Sequence, residues 1–218
     1  ATEGSFKALC DAYRQHMMVI GRAKSTQAQQ SNVLKAMCNE LIGGDSARSL
    51  GNKPVRTFIK TDLEALRDRK IDFPHSANHR VKVLKSLFAF AVKNNMIDHN
   101  PADTLEQVKV ESDGHMPWTY DHVHQYMDYH DFGSMAHLCM WLILETGFRI
   151  GDIRIVGPQH KKDGEITIKT GKTKTNVTAA LSEPLSDFLD TLPKTGFTYL
   201  VTSWGDSFKS PKAMSARF

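Results

Sequence analysis

The chain has 218 residues, 40% hydrophobic and 24% charged, with a formal net charge of +4. That length allows one large domain or two modest ones with a real core. No apolar run approaches the ~20 residues needed to span a bilayer, and the N-terminus lacks a signal-peptide layout, which argues against a membrane or secreted protein and for a soluble, cytoplasmic one. The chain begins at Ala1 rather than Met, so a processed or cut N-terminus is expected. The first half reads as helices. Phe6, Leu9, Tyr13 and Met17 recur at helical spacing. Ser25 is the expected cap of a second helix that runs through Val33, Leu34, Met37 and Leu41 and stops at Gly43-Gly44. Thr61-Asp62-Leu63-Glu64 has the form of a capping box, in which the hydroxyl and the Glu carboxylate each satisfy a free backbone donor. Ser76 is expected to cap a longer helix with Val81, Leu84, Leu87, Phe88, Ala91 and Val92 as its buried stripe, broken by Asn100-Pro101.

Residues 98–117 are polar and interrupted by Pro101, Gly114 and Pro117, as a linker would be. A new unit is expected from Trp118-Thr119, with Thr119 as a cap. The stretch from Met135 to about Glu145 is apolar all round, which predicts a helix in the middle of a domain. Beyond Arg149-Ile150-Gly151-Asp152-Ile153 the period changes to two. Glu165–Lys169 alternates as a strand, Asn176–Ala179 does so more weakly, and Gly171 lies between them, predicting a β-hairpin. A helix from Ser182 to Leu192, a short strand from Phe197 to Thr202, and the entry to a further helix within 203–218 complete the pattern. The expected fold is mainly α with a small antiparallel β-sheet, divided into a helical domain over 1–110 and an α+β portion over 111–218.

Charge is unevenly spread. Residues 1–110 carry 17 Lys/Arg against 11 Asp/Glu, and residues 111–218 carry 11 against 13. A basic N-terminal half suits a phosphate-backbone partner. Arg80, Lys82, Lys85 and Lys93 share the helix with the long apolar stripe; they form either a solvated outer face or a face laid against DNA phosphates. Cys10, Cys38 and Cys139 are odd in number and widely spaced, which fits buried reduced thiols rather than disulfides or a metal knuckle. His75 and His79 have ligand spacing, but no acidic or cysteine ligand accompanies them and Pro74 precedes them, so helix-start surface residues are expected and no metal.

Three groups in the second half could act together on a phosphate. Arg149 follows Thr146-Gly147-Phe148 where a helix would start, and its planar fork matches two phosphate oxygens. Asp152 lies three residues on, on the same helical face, where it can orient the arginine. Lys172 lies in the hairpin turn, a cation on an exposed tip. Taken singly, the first two read as a surface salt bridge and the third as a loop residue.

Their order shifts the balance. Glu145-Thr146-Gly147-Phe148-Arg149-Ile150-Gly151-Asp152-Ile153 resembles the first catalytic-arginine motif of tyrosine recombinases, the phage-integrase family. Ile166 to Leu181, with Lys172-Thr173 in a hairpin and a helix following at Ser182, resembles the segment bearing their catalytic lysine. The helix with Phe88-Ala89-Phe90-Ala91-Val92, followed by Asn100-Pro101, resembles their helical core-binding domain, and Trp118-Thr119 resembles the entry to the catalytic domain in a bacterial integrase branch. The similarity covers nearly the whole chain.

The resemblance implies site-specific DNA recombination on double-stranded DNA through a 3′-phosphotyrosyl intermediate, with no cofactor and with self-association into a tetramer on DNA. It implies that Arg149 stabilises charge on the non-bridging oxygens, that Lys172 protonates the leaving 5′-oxygen, and that Asp152 supports Arg149. Lys169 and Lys174 are rivals to Lys172; Lys-Thr matches the motif and Gly171 favours a turn there. The family also requires a later His-x-x-Arg, a further His or Trp, and a nucleophilic Tyr. None follows Lys172 in that arrangement, and Tyr199 sits in an apolar pattern that predicts core packing. The expectation is a recombinase fragment from a bacterial or phage-encoded protein, without its nucleophile and inactive alone. The alternative is a non-catalytic DNA-binding integrase remnant.

Overall fold

Capping residues and apolar period together set where the helices begin. The computed structural model describes residues 2–42, 48–111, 113–193 and 196–217, and the chain divides into two units, Ala1–Gly114 and His115–Phe218. In the first unit Ser5 Oγ accepts from the Ala8 amide and opens α1 (Phe6–Val19), which buries Phe6, Leu9, Cys10, Tyr13 and Met17. α2 (Lys24–Asn39) buries Leu34, Met37 and Cys38. Its N-cap is Ala23, so Ser25 lies inside the first turn instead of capping it. The helix ends at Asn39 and leaves Leu41 exposed, while the expected stop at Gly43-Gly44 lies outside the described residues.

α3 (Lys60–Asp68) starts one residue before the expected box. The Asp62 carboxylate accepts from the Ile59 amide at 3.0 Å, so a carboxylate at the third helical position suffices and the Thr61 hydroxyl is not the cap. α4 (Pro74–Lys93) begins at Pro74 rather than after Ser76, because proline lacks the N–H that a first-turn residue would leave unpaired anyway. The rings of Phe6, Phe58 and Phe88 meet at the centre, with centroid separations of 5.0, 5.5 and 6.4 Å. The expected linker is shorter than 98–117. Ala102 and Leu105 are buried in this core, and the Asn78 side-chain amide brackets Val108, donating to its carbonyl at 2.8 Å and accepting from its amide at 2.7 Å.

The second unit opens as expected: Thr119 Oγ1 accepts from the His122 amide and caps α5 (Tyr120–Tyr129). α6 (Met135–Thr146) buries Leu138, Cys139 and Leu142, but Leu144 is 50% exposed, so an all-round apolar sequence here does not make an all-round buried helix. The four-residue α7 (Ile150–Ile153) follows. The sheet is antiparallel in the order β1 (Lys161–Lys162), β2 (Glu165–Lys169), β3 (Asn176–Ala180), with Ile166 and Ile168 pointing into the core. β1 went unpredicted because two residues cannot display a period of two; Asp163-Gly164, both at positive φ, turn it into β2.

α8 (Glu183–Thr191) is capped by Ser182 as expected. The strand predicted over Phe197–Thr202 does not form. Among the described residues its apolar residues have no strand to pair with; the Tyr199 amide donates to the Val156 carbonyl, and an isolated bridge joins Val201 to Ser207. α9 (Pro211–Ser215) lies where a further helix was expected. The fold class is as read from sequence: mainly helical with a small antiparallel sheet. Cys10, Cys38 and Cys139 are buried and unbridged, and among the described residues no helix is long and apolar enough to cross a membrane.

Candidate functional site

The site grows out of the end of α6. Gly147 takes φ +62° and closes the helix, its amide donating to the Ile143 carbonyl, a left-handed conformation that side chains resist. Thr146 Oγ1 donates to Leu142 O at 2.6 Å and accepts from the Phe148 amide at 3.2 Å. Phe148 is buried, and the next residue, Arg149, turns outward in extended conformation as the N-cap of α7. A helix stop, an apolar anchor and an outward guanidinium thus occupy three consecutive positions. Arg149 is exposed, and no described residue hydrogen-bonds or ion-pairs with its side chain.

Asp152 departs from the expectation. It is 4% exposed and forms no ion pair with Arg149. Its Oδ1 accepts from the Gly171 amide at 2.7 Å, which ties α7 to the turn between β2 and β3. The reason is reach: a short carboxylate on the inner side of a one-turn helix faces the hairpin, whereas Arg149 leaves on the outer side. Lys172 follows Gly171 on that turn, exposed and unpaired among the described residues. Arg149 and Lys172 are therefore linked through Asp152 and Gly171. Of the rivals, Lys169 is the last residue of β2, paired with Asn176, and Lys174 adopts φ +60°.

Sequence reasoning gave Glu145 no role. Its carboxylate accepts from Trp141 Nε1 at 2.7 Å, Ser182 N at 2.8 Å and Ser182 Oγ at 2.6 Å. It fastens the end of α6 to the start of α8, on either side of the hairpin. Only the four-residue spacing to Trp141 was available in the sequence; the 37-residue separation from Ser182 was not.

The basic residues proposed for the first unit do not share a face. Arg80 is 4% exposed, and this corrects the expectation that it meets phosphate. Its Nη2 pairs with Glu40 Oε1, and its Nη1 donates to the Leu66 carbonyl at 2.7 Å. Glu40 also accepts from Arg69 at 3.0 Å. A buried guanidinium engaged by a carboxylate and a carbonyl has little left for a ligand. Lys82 is exposed and Lys85 half-buried, both without an ion pair among the described residues. His75, His79 and Lys70 line a shallow depression beside α2 and the start of α4. Among the described residues no group of three or more His, Cys, Asp or Glu side chains is placed to hold a metal. Tyr199 is buried in the second core, and burial, followed by the Asp190 charge, raises its hydroxyl above the usual tyrosine pKa.

Neither a protein-family model nor a curated relative matches the sequence. Solved structures do. A lambda integrase dimer bound to a COC′ core site superposes with a TM-score of 0.78 at 18% identity, covering 98% of this chain and 63% of that one. A lambda integrase tetramer bound to a Holliday junction gives 0.79 at 19% identity, over 98% of this chain and 65% of that one. The Tn1549 transposon integrase in complex with circular intermediate DNA gives 0.72 at 13% identity, over 96% and 76%. The chain thus has the fold of these integrases across nearly its whole length, and spans just under two thirds of the first two.

Proposed function

We propose that this chain belongs to a tyrosine recombinase and comprises its helical DNA-binding domain, 1–110, and the first part of its catalytic domain, 111–218. It acts on double-stranded DNA, cutting and rejoining strands at specific sites through a phosphotyrosine intermediate, and self-associates on that DNA. The observation that carries the reading is the Asp152–Gly171 hydrogen bond, which ties the segment bearing an unpaired arginine to the turn bearing an unpaired lysine. Two cations without a partner among the described residues, on segments joined by a hydrogen bond, suit a reaction in which a phosphate gains charge on its non-bridging oxygens while a 5′-oxygen needs a proton.

In this reading Arg149 binds the non-bridging oxygens and Lys172 is the general acid. Asp152 acts on the lysine turn rather than on Arg149. Lys82 and Lys85 supply sequence-independent backbone contacts. The nucleophilic tyrosine lies outside residues 1–218, and the protein works in the bacterial cytoplasm, encoded by a bacterium or phage. In a protein extended to include the nucleophile, Arg149→Ala should lower covalent attachment to a nicked duplex by roughly 10²- to 10³-fold. Attachment at the parent rate would overturn the assignment.

One observation favours a second reading for these 218 residues alone. Tyr199, the single tyrosine after the hairpin, is buried with its hydroxyl pKa raised, which supports reading it as core packing rather than as the nucleophile. DNA binding without cleavage is then the whole activity, detected as duplex affinity that falls steeply with salt and no covalent product.

A further inference from the structure

The turn that carries Lys172 is more constrained than its exposure explains. Gly171 to Thr178 are all exposed, so no apolar side chain anchors the tip. Ordering such a segment costs backbone entropy at every residue. Three threonine hydroxyls offset that cost. Thr170, 5% exposed at the end of β2, places Oγ1 3.1 Å from the Thr175 carbonyl and 2.7 Å from Thr173 Oγ1. Thr173 Oγ1 lies 2.6 Å from Thr175 Oγ1.

Each hydroxyl owns one proton, and one assignment uses every proton once. Thr170 donates to the Thr175 carbonyl, Thr173 donates to Thr170, and Thr175 donates to Thr173. The Thr170 amide also donates to the Thr175 carbonyl at 2.9 Å, and the Lys174 amide to the Thr170 carbonyl at 3.1 Å. Lys172 is thereby held from both sides: Gly171 before it hangs on Asp152, and Thr173 after it hangs on Thr170.

We infer that Thr170 is a positioning residue for Lys172, its buried hydroxyl heading a chain that fixes the turn so that the ammonium is presented to the leaving oxygen. This rests on the reading of Lys172 as general acid. The step itself is ordinary: the tyrosine hydroxyl gives its proton to solvent water as its oxygen bonds to phosphorus, the bond to the 5′-oxygen breaks, and the proton on Lys172 Nζ passes to that oxygen, leaving a neutral amine.

The test uses the protein extended to its nucleophile, with duplexes carrying either the ordinary 5′-oxygen or a bridging 5′-sulfur at the scissile phosphate. A thiolate leaves without a proton, so a defect in acid catalysis disappears on the sulfur substrate. Thr170→Val should cleave the oxygen substrate roughly tenfold more slowly, a part of the 10²- to 10⁴-fold that general acids contribute, yet cleave the sulfur substrate within about twofold of the parent. Thr170→Ser, which keeps the hydroxyl, should restore the rate. In the 218-residue chain, exchange of the Lys172–Lys174 amides should quicken in the Val variant and not in the Ser variant. Parent-like cleavage of oxygen by Thr170→Val, or equal slowing on both substrates, overturns the inference. If Lys172→Ala itself is not rescued by sulfur, the acid assignment falls and takes this inference with it; rescue of Lys172→Ala with Thr170→Val unaffected removes the inference alone.

Discussion

Arg80 in α4 and Arg149 ahead of α7 are the same residue type, each beside an apolar run, and only Arg149 has an acid within four residues. The fold spends them differently. Arg80 is buried, with its protons given to Glu40 and the Leu66 carbonyl. Arg149 is exposed with nothing among the described residues to bind. The acids diverge in parallel: Glu40 pairs with two arginines, Arg69 and Arg80, whereas Asp152 turns from the nearby arginine and holds a backbone amide on the lysine turn. A charge is available for a ligand when the fold supplies it no partner, and sequence proximity to an opposite charge does not tell which case holds.

Substitutions can break this contrast, and their effects on stability should fall in a set order. Glu40→Ala leaves the Arg80 charge buried without its carboxylate and should destabilise the first unit by about 3 kcal/mol. All three tryptophans lie in the second unit, so the loss should appear in helical circular dichroism on urea unfolding and leave the tryptophan transition in place. A shift under ~1 kcal/mol, within the range of surface ion pairs, would mean that Arg80 is not structurally committed. Asp152→Ala removes a buried charged acceptor and should cost the second unit about 2 kcal/mol by tryptophan-monitored unfolding, with faster exchange at Gly171.

Gly147→Ala tests the joint itself. A Cβ there meets nothing within 4 Å, so the cost is conformational, about 1 kcal/mol from the positive φ. A neutral result would show that the chain closes α6 in some other way. Arg149→Ala should come last, within about 0.5 kcal/mol of the parent despite the large loss of attachment proposed above. If it destabilised as much as Glu40→Ala, the two arginines would be alike and the contrast would fail.

Much of the fold was legible in the sequence, because the signals for it are local. The apolar spacing from Phe6 to Met17, Thr119 and Ser182 as caps, the alternation over Glu165–Lys169, and Thr146-Gly147-Phe148 ahead of Arg149 depend on neighbours a few residues away. The misreadings share a cause as well. Ser25, Thr61 and Ser76 all have capping chemistry, but a helix that can start earlier, at Pro74 or after Ala23, takes them into its first turn. Phe197 to Thr202 has strand composition without a partner strand, and backbone pairing is decided by what lies alongside.

The sequence by itself determined most of the element types, the mainly helical class, and which residues could carry chemistry: Arg149, Asp152 and Lys172 in the second half, and Arg80, Lys82 and Lys85 in the first. Tertiary structure alone decided which of these charges are engaged. Asp152 meets Gly171 across 19 residues, Glu145 meets Ser182 across 37, and Arg80 meets Glu40 across 40. Hydrogen bonds form over about 3 Å in space, and at such separations the sequence carries no periodic signal to predict them.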